Sequence, residues 1–206
     1  MKNIVRILCL IFIAAHASGC AALDRSRRLE NQMADLKGQL AECQQQKDSE
    51  LDRAMRKLEV SLGKELKDTK ARLEMTERGL VITFLAEVFF DSGKDAIKSQ
   101  GKSALNKVAE ILNKDVPESK VAVEGHTDAD PIKYSGWKSN WELSSGRALA
   151  VLHYFVDDCQ VKPERLCANA YGEFSPVADN ETVAGKQKNR RVEIVILPKL
   201  AKKTLD

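Results

Sequence analysis

The sequence predicts an α+β domain, with helices packed on one face of a small mixed sheet, preceded by a long helical segment. Three observations lead there. Between Leu23 and Arg78 there is no proline, and a periodic apolar stripe runs through otherwise charged and polar residues. At Gly79 the composition shifts toward β-branched and aromatic residues. Beyond it, short strand-like runs are separated by two segments of helical period, in the order β-α-β-α-β-β, a two-layer plan.

The bulk numbers fit this division. A chain of 206 residues holds one medium domain plus an extension. Its 31% charged and 5% aromatic residues are lean for a single globule and suit a solvated helix joined to an ordinary domain. Formal net charge is +3, two of it from Lys2 and Arg6. No basic stripe lies outside the helical segment and the short runs at its ends, which argues against a nucleic-acid partner. The cysteines form no CxxC pair, and His16, His126 and His153 are scattered, so neither a metal nor a cofactor is expected.

Residues 1–19 read as a signal peptide. Lys2 and Arg6 start it, an apolar run from Ile7 to Ala15 follows, and Ala17, Ser18 and Gly19 precede Cys20. The apolar run falls well short of the roughly 20 residues that span a bilayer. Small residues before a cysteine resemble the bacterial lipobox, although Ala17 stands where that pattern usually has Leu. The resemblance implies that Cys20 carries the lipid, palmitate included, that residues 20–22 are the lipidated terminus, and that Ala21 directs the chain to the outer membrane, facing the periplasm. A plain signal peptide cleaved elsewhere remains the alternative.

Residues 23–78 form the predicted helical stalk. Leu29, Met33, Leu36, Leu40 and Cys43 alternate spacings of four and three, and the rhythm resumes through Met55, Leu58, Leu62, Leu66, Thr69, Leu73, Thr76 and Leu80. Two readings stay open. One is a self-associating coiled coil extending roughly 80 Å, which makes the chain a homodimer. The other is a single amphipathic helix lying on the C-terminal domain. Cys43 falls on the seam, where an oxidising periplasm would allow an interchain disulfide.

The domain spans residues 79–198, with a basic tail at 199–206. Leu80 to Phe90 reads as a strand broken near Ala86-Glu87, and Asp91 to Lys94 as a turn. Gln100 to Lys114 is a helix on the stripe Leu105, Val108, Ala109, Leu112, stopped by Pro117. Val121 to Glu124 is a strand running into Gly125. After a loop, a second helix covers Asn140 to Asp157. A strand at Leu166 to Tyr171 leads through a long polar loop to the final strand, Arg191 to Leu197. On the second helix Asn140, Leu143, Ser144 and Arg147 share one stripe, and Trp141, Ala148, Leu152 and Phe155 form an apolar stripe beside it, at about 100° per residue.

Five landmarks in register carry a specific resemblance: Phe90-Asp91-Ser92-Gly93; Val123-Glu124-Gly125-His126-Thr127-Asp128; Ser139 through Ala148; Tyr171-Gly172-Glu173; and Asn189-Arg190-Arg191-Val192-Glu193-Ile194. Together they resemble the OmpA-like C-terminal domain across Leu80 to Pro198, and the stretch from Asp130 to Trp137 resembles the loop of its MotB-like branch. The resemblance implies a peptidoglycan ligand, the meso-diaminopimelate of a stem peptide, whose free end carries an ammonium and a carboxylate. By motif position Asp128 would take the ammonium and Arg147 the carboxylate, since a planar guanidinium engages a carboxylate at two points. Asn140 and the backbone near Thr127 would hydrogen-bond the ligand, Leu143 would pack beneath it, and Arg190 or Arg191 would add positive potential. Taken alone, Asp128 also suits a loop cap, Arg147 a surface ion pair, and Arg190 and Arg191 pairing near the sheet.

His126 is expected to be structural. Cys159 and Cys167 are either a disulfide tying the second helix to the next strand or two free thiols. A wall hydrolase using Ser144 or Ser145 with His126 and Asp128 lacks the G-x-S-x-G elbow, so the chain is not expected to be an enzyme. A proton-conducting stator is not expected, because such a subunit needs a spanning helix that carries an acid and the apolar segment here is short and uncharged in its core. The expected function is a non-enzymatic outer-membrane lipoprotein tethering membrane to wall. The alternative is an accessory lipoprotein of a motor or secretion assembly.

Overall fold

The computed structural model describes residues 25–41, 50–68, 70–133 and 135–199. The chain divides into two compact units, residues 1–46 and 47–206. In the first, residues 25–41 are helical, and Leu29, Met33, Leu36 and Leu40 are exposed. Cys20 and Cys43, with the lipidation and interchain disulfide expected of them, lie outside the described residues, as does the tail from residue 200. No helix among the described residues is long and apolar enough to cross a membrane.

The second unit begins earlier than the sequence suggests. Residues 50–61 form helix α1, and the short helix α2 follows at Gly63–Lys67. Leu51, Ala54, Leu58 and Leu62 are buried in the same core as the sheet, and the Lys107 Nζ to Glu65 Oε1 ion pair of 3.0 Å fastens α2 at its side. The seam predicted for a stalk over 23–78 is, in this stretch, the inner face of a helix lying on the domain. Residues 71–78 are not helical. Strand β1, Ala71–Thr76, pairs antiparallel with β2, Gly79–Leu85, across a tight turn. The four- and three-residue spacing through Leu73 and Thr76 coincided with a strand because isolated β-branched and long residues satisfy either period over so short a run.

The remaining elements follow the expected order. Strand β2 breaks into the short helix α3, Ala86–Phe89, and helix α4 covers Ser99–Lys114. Strand β3 is Val121–His126, helix α5 is Asn140–Asp157 and strand β4 is Leu166–Gly172. Helix α5 starts on a side-chain cap close in form to a capping box. The Ser139 hydroxyl accepts from the Glu142 N–H, and the Glu142 carboxylate accepts from the Lys138 N–H. Helix α6, Val183–Asn189, occupies the loop that the sequence left irregular. Its one large apolar residue, Val183, is exposed, so no apolar stripe announces it. Strand β5 is Arg191–Ile196. The sheet order is β1-β2-β5-β3-β4, with only β3 and β4 parallel, and β3–α5–β4 is the crossover such a pair requires.

Alternation sorts the central strands into two faces. Val121, Val123, Val192, Ile194 and Ile196 join the helices in the main core, while Val81, Ala122 and Val195 form a small apolar cluster on the other side. Gly125 lies on the helix side, where a Cβ would sit 2.1 Å from the Ser144 carbonyl oxygen. Only glycine allows α5 to come so close. The same sorting separates the two cysteines, which are free thiols rather than a disulfide. Cys159 packs beside the main core with Sγ 3.3 Å from Asn106 Oδ1, whereas Cys167 stands opposite Ala122, on the face away from the helices.

Leu58→Ala should remove about 2–5 kcal/mol of stability, because Leu58 is fully buried in the domain core. Val60→Ala on the exposed side of the same helix should change it by less than about 0.5 kcal/mol. Urea unfolding of the two variants checks the docking of α1; equal, small losses would refute it.

Candidate functional site

A cleft of about 830 Å³ opens where the turn after α3, the loop after β3 and the start of α5 meet. Its size is in the range of small-molecule sites. Of the residues expected to bind ligand, Asp128, Arg147, Asn140, Thr127, Leu143 and Arg190 all line it. Arg191 does not. Its guanidinium is turned to Glu193 Oε1 at 2.7 Å and to the carbonyls of Asn189 and Ser175, a fold-stabilising position.

Arg147 stands on the third turn of α5 and is only 4% exposed. Its Nε donates to the Lys94 carbonyl at 3.0 Å and Nη2 to that of Asp91 at 3.4 Å, while the Phe90 ring lies 5.3 Å beneath its Cζ. The Phe90-Asp91-Ser92-Gly93 run thus builds the seat of the arginine. Gly93 adopts φ +68°, so the turn curls back, and its carbonyl accepts from Trp137 Nε1 at 2.9 Å. Among the described residues Nη1 has no partner, which leaves part of the fork for an incoming oxyanion. Burial pulls the Arg147 guanidinium down to about 10, with the neighbouring Asp128 carboxylate pulling the other way, so it stays charged at neutral pH.

Asp128 follows the end of β3 and is buried. One carboxylate oxygen accepts from the Asp130 N–H at 3.3 Å, and the other pairs with Arg190 Nη1. Asn140 ties the loop rather than pointing outward. Its Nδ2 donates to the Asp130 carbonyl at 3.0 Å and to the Glu173 carboxylate. Thr127 N–H is committed to the Gly172 carbonyl at 2.8 Å, so the strand end offers no free donor there. Leu143 is buried and supplies apolar floor. Around the cleft four acids (Glu87, Asp91, Asp128, Asp130) face four bases (Lys94, Lys133, Arg147, Arg190). Such a balance suits a zwitterion better than a polyanion.

The stripe expected on the second helix is shifted in the structure. Asn140, Leu143, Ser144, Arg147, Ala148, Val151 and Phe155 are all buried, whereas Trp141 is exposed. The polar stripe is itself the inward face, because the close approach at Gly125 presses its backbone onto β3. The Ser144 hydroxyl donates to the Trp141 carbonyl and accepts from the Gly172 N–H at 3.1 Å, a fully buried strut. Sequence reasoning missed Glu173, the pairing of Asp128 with Arg190, and the wall made by Pro131, Ile132 and Lys133. The landmark Tyr171-Gly172-Glu173 contained the first of these without indicating its partner.

His126 lies on the sheet face away from α5, apart from the cleft. Its ring stacks on Tyr171, centroids 4.9 Å apart and nearly parallel, and neither ring nitrogen has a hydrogen-bond partner. Glu124 and Glu193 approach it closely enough for three ligand atoms to lie within 4.8 Å of one another. The cationic position there is already filled by Arg78, which donates to both carboxylates at 2.7 Å. Burial, reinforced by the Arg191 charge, lowers the His126 imidazole to about 4 against the nearby Glu193 carboxylate.

Residues 89–190 match the OmpA family. The chain carries an OmpA-family domain. Motility protein B of Bacillus subtilis is 39% identical over 131 residues, 64% of this chain and 50% of that protein. Outer membrane protein Omp38 of Acinetobacter baumannii is 39% identical over 105 residues, 51% of this chain and 28% of that protein. The chain thus spans half or less of the length of these two relatives. Among solved structures, the cell wall anchor of the T6SS from Pseudomonas aeruginosa superposes with a TM-score of 0.62 at 28% identity, covering 69% of this chain and 97% of that one. The periplasmic domain of Helicobacter pylori MotB gives 0.59 at 27% identity, covering 63% and 83%.

A depressed imidazole pKa makes the folded state lose stability as pH falls. Between about 6.5 and 4 the unfolded chain takes up a proton that the folded one refuses, so about 2 kcal/mol should be lost from pH 7 to pH 5. His126→Phe keeps the ring stack and cannot titrate. Urea midpoints of the variant should be nearly level over that range; the same slope in both proteins would place its origin elsewhere.

Proposed function

We propose that the OmpA-family domain binds peptidoglycan non-covalently, with the free end of a diaminopimelate side chain in the cleft. One observation carries this reading. A buried guanidinium with donors to spare, Arg147, and a buried carboxylate, Asp128, line one cleft without forming an ion pair to each other. The ligand carboxylate would meet Arg147 on two N–H groups, and its ammonium would meet Asp128 from the side that Arg190 leaves free. Phe90 and Leu143 supply the apolar floor for the methylene chain. Covalent chemistry is not part of the reading, since Ser144 is sealed by its own hydrogen bonds and His126 lies on the opposite face of the sheet.

The relatives favour one wider role. A motility protein and a secretion-system wall anchor share this domain, which supports service as the wall-binding accessory of a motor or secretion assembly over a free-standing outer-membrane tether. In either role the chain would be a lipoprotein held through Cys20. The exposed stripe Leu29, Met33, Leu36 and Leu40 would meet the same stripe of a second copy.

Asp128→Asn should abolish sedimentation of the protein with purified sacculi, and Arg147→Lys should weaken it at least about tenfold by losing the planar fork. Amidating the diaminopimelate carboxylate should weaken the wild type and leave Arg147→Ala, which has no cation to pair with it, little changed. Equal sedimentation of all forms would refute the site. Separately, Cys20→Ser should shift the chain from the membrane to the soluble fraction, and Cys43→Ser should remove a dimer band from non-reducing gels. A soluble wild type would refute the anchor, and a monomer band in both proteins would refute the disulfide.

A further inference from the structure

Beside the cleft, two aromatic side chains stack in open solvent. Trp141 on α5 and Phe174 after β4 lie with ring centroids 5.2 Å apart and planes 21° from parallel. They are 47% and 63% exposed. The pair is not needed to fill the core, and exposed apolar surface of this kind marks contact sites. It adjoins the cleft directly. Asn140 and Glu173, the residues immediately before Trp141 and Phe174, are joined by a side-chain hydrogen bond, and Asn140 lines the cleft. Cleft and platform therefore share one border.

We propose that the Trp141–Phe174 pair is a second subsite, which takes the face of a pyranose ring of the wall glycan. This rests on the reading of the cleft as a stem-peptide site. A pyranose offers a flat C–H face with hydroxyls around its edge, and the platform offers ring faces with the Glu173 and Glu142 carboxylates in the adjoining chain. Scale favours a sugar over a protein. The exposed parts of two rings amount to roughly 250 Å² together, far below the about 800 Å² per partner of a stable protein interface. Reach also fits. In a muropeptide two residues and the lactyl ether separate diaminopimelate from the nearest sugar, roughly 12 Å of extended chain.

The test uses the full chain and two probes, a free diaminopimelate-containing tetrapeptide and the disaccharide carrying the same tetrapeptide, by calorimetry. The wild type should bind the disaccharide form about tenfold more tightly than the free peptide. Trp141→Ala and Phe174→Ala should each erase that difference while leaving the free peptide unchanged. Equal affinity of the wild type for both probes overturns the platform and leaves the cleft reading standing. Loss of free-peptide binding in both variants also overturns it, since the pair would then only brace the cleft. If neither probe binds the wild type, the cleft reading falls and takes the platform with it.

Discussion

The contact between Gly125 and the Ser144 backbone governs the domain. A side chain at Gly125 would meet the Ser144 carbonyl at 2.1 Å, so α5 could not lie where it does. With glycine there, the helix settles onto the end of β3, and the Ser144 hydroxyl reaches the Gly172 N–H on β4. One helix is thereby locked to the only parallel strand pair of the sheet. Asp128 is three residues beyond Gly125, and Arg147 is three residues beyond Ser144. The close approach that packs the domain also brings those two charges to one cleft.

The arginines around the sheet show what burial does to a charge under different terms. Glu124 and Glu193 are buried carboxylates, matched by the buried Arg191 and by Arg78, which reaches in from a half-exposed position. Arg147 is held instead by backbone carbonyls and the Phe90 ring, with burial pulling its pKa down to about 10. Carbonyl dipoles hold the guanidinium in place without discharging it. An incoming carboxylate would then gain more than it would from an exposed lysine, because little competing water remains and the fork is already oriented.

Much of this was legible in the chain because local chemistry and tertiary packing agree. The helix read over Asn140 to Asp157 is α5, with the same bounds. The Gly125 to Asp128 run signals a strand end followed by an acid, and the fold adds that Gly125 is where α5 comes close. Three things were not legible, each for a physical reason. Leu58 and Leu62 have the spacing of a coiled-coil seam, and spacing cannot say whether the partner is another helix or the same domain. Helix α6 has no buried apolar stripe; Thr182 caps it and the Asn189 amide anchors its end to the loop at Val177 and Ala178. The roles of Arg190 and Arg191 are split by strand alternation. Arg191 begins β5 on the face of Glu193, and Arg190, one residue earlier, turns to Asp128.

The Asp128–Arg190 pair bears on what the cleft would select. A lone buried carboxylate would take any cation, and a lone guanidinium any anion. Here Asp128 is already half satisfied by Arg190, and Arg147 by two carbonyls, so a ligand carrying a single charge gains one contact and leaves the other group as it was. A zwitterion on one carbon would engage both groups at once under the proposed reading, and its zero net charge would bring no repulsion into a rim of balanced acids and bases. Specificity of this kind comes from the difference between two contacts and one. It would weaken little with the ionic strength outside, because both groups are buried and the pairs would be made at short range.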